Sequence, residues 1–165
     1  MNRYHYLITL FCLMAFLSCE RRPNVQGNGE IFLQGIWNQD SIPNSAKLLN
    51  YTQHHIKFTC DSFYVDLTTH SKVNYYEDPC YNNGVWKEYA KGVYEVRKDS
   101  LFLLGTYTKE NYKQKVSGCY TIGIYRKSFL IKSADASHLF LQGLSDQREV
   151  HLSLKQKIIC VPKEL

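Results

Sequence analysis

Between Tyr89 and Thr108 the chain alternates in character at every second residue, turns on three polar residues, and alternates again. Ala90, Gly92, Tyr94 and Val96 share one face, with Lys91, Val93, Glu95 and Arg97 on the other. After Lys98-Asp99-Ser100, a second run puts Leu101, Leu103, Gly105 and Tyr107 on one face. A period of two belongs to a strand, because a helix repeats every 3.6 residues. Two such runs around a short polar turn predict an antiparallel hairpin. The 13 Tyr and 8 Phe, with no alanine- or leucine-rich helical stretch, push the whole chain the same way.

The idea recurs along the chain. Ile56-Lys57-Phe58-Thr59, the turn Cys60-Asp61-Ser62 and Phe63 to Leu67 form a second hairpin. Phe129-Leu130-Ile131 and Leu139-Phe140-Leu141 flank a third turn, Asp135-Ala136-Ser137. Further strands are predicted over Ile31 to Trp37, Lys72 to Tyr76, Gly118 to Tyr125, Glu149 to Leu154 and Lys157 to Val161, where Pro162 ends the run. Between Asp40 and Gln53 the pattern lapses: Ser41-Ile42-Pro43-Asn44 is a turn, and Ser45 suits the cap of a short helix over Ala46 to Tyr51. A loop over Glu77 to Gly84 carries Pro79 and Asn82-Asn83-Gly84. Roughly eight to ten antiparallel strands in meander order suit an all-β closed barrel, which has no free sheet edges. A β-sandwich is the alternative.

The first residues carry an address. Arg3 precedes an apolar run from Tyr6 to Phe16, too short for a membrane span, which needs about 20 residues. That layout is a secretory signal. Phe16-Leu17-Ser18-Cys19 resembles the lipobox of bacterial lipoproteins. The resemblance implies a signal peptide over 1–18, cleaved after Ser18, and fatty-acid (palmitate-type) acylation of Cys19 as an anchor in the membrane. It points to lipoproteins of the Bacteroidota envelope. Glu20-Arg21-Arg22-Pro23 lacks the acidic cluster typical of their surface lipoproteins, which favours an outer-membrane anchor on the periplasmic face. Residues 19–30 then read as lipidated N-terminus and tether, and 31–165 as the barrel domain.

Gly35-Ile36-Trp37, a G-x-W after an apolar run near the mature N-terminus, resembles the opening strand of lipocalin-like (calycin) barrels. In that family the Trp closes one end of the barrel beneath the cavity. A basic residue near the last strand can stack on it, a role that the resemblance assigns to Arg148.

Cys60, Cys80, Cys119 and Cys160 remain once Cys12 and Cys19 are set aside. An even number in an exported chain predicts two disulfides, with connectivity left open. No Cys-x-x-Cys or His-Glu-x-x-His points to a metal, and no Gly-x-Ser-x-Gly or phosphate loop points to catalysis. His54 and His55 are adjacent on an extended segment, so they face opposite ways and cannot chelate one ion. The net charge of +5 is scattered, which argues against nucleic acid as a partner. Asp40-Ser41-Ile42 and Asp99-Ser100-Leu101 resemble the Bacteroidota O-glycosylation acceptor, implying glycans on Ser41 and Ser100.

These readings define no catalytic residue and no cofactor. They predict a carrier or sensor for a small apolar or aromatic ligand, with Tyr64, Tyr94 and Tyr107 as ligand-contacting residues. The alternative is an envelope interaction module whose barrel is filled by its own side chains and whose partner is another envelope protein. An enzyme ranks behind both, since a short barrel can host chemistry without a motif. Whether the inward faces of the strands carrying Tyr94 and Leu103 line a cavity or interdigitate separates the first two readings.

Overall fold

The structure, a computed structural model, describes residues 25–164. The signal peptide and Cys19 lie outside the described residues. Eight strands follow in chain order: β1 (Gly35–Gln39), β2 (Asn50–Thr59), β3 (Ser62–Ser71), β4 (Val85–Arg97), β5 (Ser100–Thr108), β6 (Ile124–Ala134), β7 (His138–Gly143) and β8 (Glu149–Lys157). Each pairs antiparallel with the next, and β8 returns to pair with β1, closing the barrel. The alternating residues set the register. Phe63, Val65 and Leu67 of β3 point inward and are buried, as do Leu101 and Leu103 of β5 and Leu139 and Leu141 of β7.

Several boundaries differ from the sequence reading. Lys72 to Tyr76 is not a strand: Val73 and Tyr75 are exposed, so nothing on this segment faces a core. Residues 118–123 are loop, and β6 begins only at Ile124. The last strand is single and ends at Lys157, leaving Ile159 and Val161 exposed. The first strand begins at Gly35, because Ile31 to Gln34 form a turn with Leu33 N donating to Glu30 O at 3.1 Å. The predicted helix shrinks to a 3-10 turn over Ser45–Lys47, with no side-chain cap, and β2 starts at Asn50.

One end of the barrel is plugged. The turns β2–β3, β4–β5 and β6–β7 lie there together with the chain before β1 and after β8. Gln34, buried, is the pivot: its Nε2 donates to Cys60 O at 2.7 Å, and its Oε1 accepts from Cys60 N at 2.6 Å. The Tyr94 hydroxyl donates to Cys60 O at 2.7 Å and accepts from Glu30 N at 2.9 Å. Residues 25–30 lie along this end, with Gln26 N donating to Lys163 O at 2.8 Å and Gly27 N to Asp61 Oδ2 at 2.8 Å. Cys60 is bonded to Cys160, which fastens the segment after β8 to the β2–β3 turn. Above the plug, Trp37, Ile56, Phe58, Phe63, Val65 and Leu103 interdigitate across the interior with almost no exposure. Burying each such side chain contributes about 1.5–3 kcal/mol. This half of the barrel is solid.

Candidate ligand site at the barrel mouth

The other half is not solid. β7 ends at Gly143, opposite Phe129, and Leu144 N donates to Ser128 O at 2.9 Å. Above that bond, β6 from Ile124 to Lys127 pairs only with β5, so the wall stands open on its β7 side. Inside and beside this gap is an open cavity of about 460 Å³. Its apolar wall is Leu67, Phe129 and Val150, with Ile42 and Leu48 from the β1–β2 connection at the rim.

Its remaining lining is largely polar, and Gln39, Thr52, His54, Thr69, Glu88 and Lys127 stand at inward positions of their strands. Thr52 and Thr69 face one another on β2 and β3, their hydroxyls 2.9 Å apart. Glu88 of β4 accepts from Thr121 N at 2.9 Å and from Trp86 Nε1 at 3.4 Å. The first of these bonds ties the β5–β6 connection to the wall. The Cys80–Cys119 disulfide joins that same connection to the β3–β4 loop, and Tyr76, Trp86 and Tyr120 pack beneath the joined loops.

His54 is the most constrained member. Gln39 Oε1 accepts the His54 backbone N–H at 3.0 Å and lies 2.8 Å from His54 Nδ1. A backbone N–H can only donate, so the Gln39 atom is an oxygen and Nδ1 must carry the ring proton. Nε2 is then a lone-pair acceptor, and it has no hydrogen-bond partner among the described residues. Burial, and next the positive charge of Lys127, lower the pKa of His54 from 6.5 to about 4; Asp146 pulls weakly the other way. The ring is therefore neutral at physiological pH.

A histidine depressed in the folded state favours folding in its neutral form. That advantage is full above the unfolded value near 6.5 and is lost as pH falls toward 4. Allowing for the water that reaches this half-buried ring, the loss is about 2 kcal/mol. Urea unfolding of the wild type and of His54→Gln at pH 7 and pH 4 checks it. The wild type should lose about 2 kcal/mol more than the variant between the two pH values; equal losses would contradict the assignment.

No protein-family model, curated protein or solved structure matches the chain.

The residues singled out from the sequence are spread through the barrel. Tyr107 lines the cavity, its ring 5.4 Å from Tyr125 and nearly perpendicular to it. Tyr94 does not: it serves the plug, where burial pushes its hydroxyl up to about 12. Tyr64 faces outward, edge-on to Tyr112 with Lys57 above its ring. Its parity on β3 is opposite to the buried Phe63 and Val65, which takes it out of any interior site.

Trp37 is buried, and its Nε1 donates to Leu33 O at 2.7 Å. Gly35 lies where a Cβ would meet Leu154 at 2.5 Å. Arg148 does not stack on Trp37. It precedes β8 at the mouth, 4.0 Å from Asp146, and the cation–aromatic contacts among the described residues involve Lys57, Arg97 and Lys115. Ser41 is exposed in the β1–β2 connection, while Ser100 is half-buried at the start of β5. Among the described residues no three His, Cys, Asp or Glu side chains converge as a metal site.

The sequence reading missed Gln39, Thr52, Glu88 and Lys127. Their common signal was polarity at inward parity, visible only once the strands are known to continue through them.

Proposed function

We propose that this protein is a lipid-anchored carrier or sensor of the cell envelope that holds a small molecule in the mouth of its barrel. The observation that carries this is the division of the interior, solid from the plug to Phe63 and Leu103 and open above, where an apolar wall faces a ring of polar groups. A ligand with an aromatic or aliphatic body and polar substituents fits such a lining. A wholly apolar one would leave His54 Nε2 and Lys127 without partners. Anchoring through Cys19 on the periplasmic face would place the open mouth within reach of small molecules that cross the outer membrane.

A second reading rests on the outer wall. Val93 and Leu104 are paired across β4 and β5 and are 54% and 48% exposed, an apolar spot suited to an envelope-protein partner.

Native mass spectrometry of the chain from residue 19 with Cys19→Ser, purified from its native host, tests the carrier reading. It predicts a reproducible added mass that departs on denaturation. The bare polypeptide mass in repeated preparations would contradict it and favour the partner module.

A further inference from the structure

We infer that the molecule held at the mouth is an organic anion bearing a hydrogen-bond donor, with its acidic group on Lys127 and its donor on His54 Nε2. The inference rests on the cavity being a ligand site and names what the site selects.

Most charged groups at the mouth already have partners within the protein. Glu88 accepts two N–H donors from the protein itself. Asp146 accepts from Arg148 N at 3.2 Å and stands 4.0 Å from the Arg148 guanidinium, so each neutralises the other. Glu149 points outward from β8, toward His151 at 3.4 Å. The Thr52 and Thr69 hydroxyls bond to one another.

Of the charged residues and the histidine that line the mouth, two groups are left over among the described residues. Lys127 stands on β6 between the inward and buried Tyr125 and Phe129, and it belongs to none of the ion pairs there. His54 Nε2 has a lone pair and no donor. β2 and β6 are four strands apart in an eight-stranded ring, so the ammonium and the imidazole stand on opposite walls with the cavity between them.

The complement of this arrangement is an acid with a hydroxyl or N–H group, and a ring or chain lying on Leu67, Phe129 and Val150. A cationic ligand would face Lys127 with no free carboxylate to receive it. A neutral donor would satisfy His54 alone.

Two dyes separate the possibilities. 6-Anilinonaphthalene-2-sulfonate and N-phenyl-2-naphthylamine share an aromatic skeleton and an N–H, and only the first carries an anionic group, at the end of the naphthalene away from the N–H. Both are titrated by fluorescence into the chain from residue 19 with Cys19→Ser, which keeps every residue of the barrel. The sulfonate dye should bind about tenfold more tightly than the neutral one. Lys127→Met should erase that preference while leaving the neutral dye's affinity in place, and Lys127→Arg should keep the preference. His54→Leu should weaken both dyes several-fold, since both offer the N–H. Equal affinities in the wild type, or a preference that survives Lys127→Met, would overturn the inference and leave the carrier reading standing. Failure of both dyes to bind would overturn the two together.

Discussion

Replacing Cys60 and Cys160 together by serine is expected to lower the unfolding free energy by about 4–5 kcal/mol, more than any other change at the plugged end. The two residues are 100 apart in sequence, so their bond removes a long loop's worth of freedom from the unfolded chain. In the folded chain it also holds the last residues against the plug, where Glu164 pairs with Val25 and Lys163 with Gln26. Cys60 itself is buried, and its backbone N–H and C=O are both bonded to Gln34, so losing the bond loosens the pivot of that end. The Cys80–Cys119 bond spans 39 residues and joins two surface connections, one of which remains held by Glu88 through Thr121 N, so its loss costs less. Urea unfolding of each double variant measures both. A loss under about 1 kcal/mol for Cys60/Cys160, or the reverse ranking, would contradict the assignment of the plug as the stapled end.

Gly105→Ala is expected to cost about 3 kcal/mol, an unusual penalty for adding one methyl group. Gly105 and Gly92 are directly paired on β5 and β4. A Cβ on Gly105 would lie 2.0 Å from Lys91 O and 2.8 Å from Gly92 Cα; on Gly92 it would lie 2.1 Å from Leu104 O. These are backbone atoms, and no rotamer change relieves the contact. The paired glycines let two strands approach closely where the sheet bends to close, a known use of glycine in barrels. Thermal or urea unfolding of Gly105→Ala and of Val93→Ala, an exposed neighbour, gives the comparison. A cost for Gly105→Ala no larger than for Val93→Ala would show that the strands have room to part.

The plugged half was readable in the sequence because apolar and polar residues alternate there without interruption. Phe58, Phe63, Val65, Leu101, Leu103, Leu139 and Leu141 all stand where a period of two puts them. The pairing of Gly92 with Gly105 follows from the same hairpin, although the close contact that demands glycine depends on curvature, which alternation does not encode.

At the mouth the rule failed for a physical reason. Strands lining a polar cavity place Thr52, His54, Thr69, Glu88 and Lys127 inward, so inward and outward residues no longer differ in polarity and the alternation vanishes. Asn50 and Tyr51, which open β2, therefore read as the end of a short helix, and this strand is predicted only from Ile56. Tyr94 and Tyr107 were equivalent by parity, both inward on their strands. What separates them is the turn at Gln34, which sits under Tyr94, and that contact joins residues 60 apart in sequence. The stacking of Arg148 on Trp37 came from a family resemblance, and nothing in the alternation bore on it.

The central claim is that this barrel is solid at one end and receives a small molecule at the other. The most direct measurement is an amide ¹H–¹⁵N correlation spectrum of the chain during titration with 6-anilinonaphthalene-2-sulfonate. The account predicts shifts at His54, Thr69, Phe129 and Gly143, with Phe58, Val65, Leu101 and Leu139 unchanged. Shifts centred on Val93 and Leu104 of the outer wall, or spread through the plugged half, would contradict it.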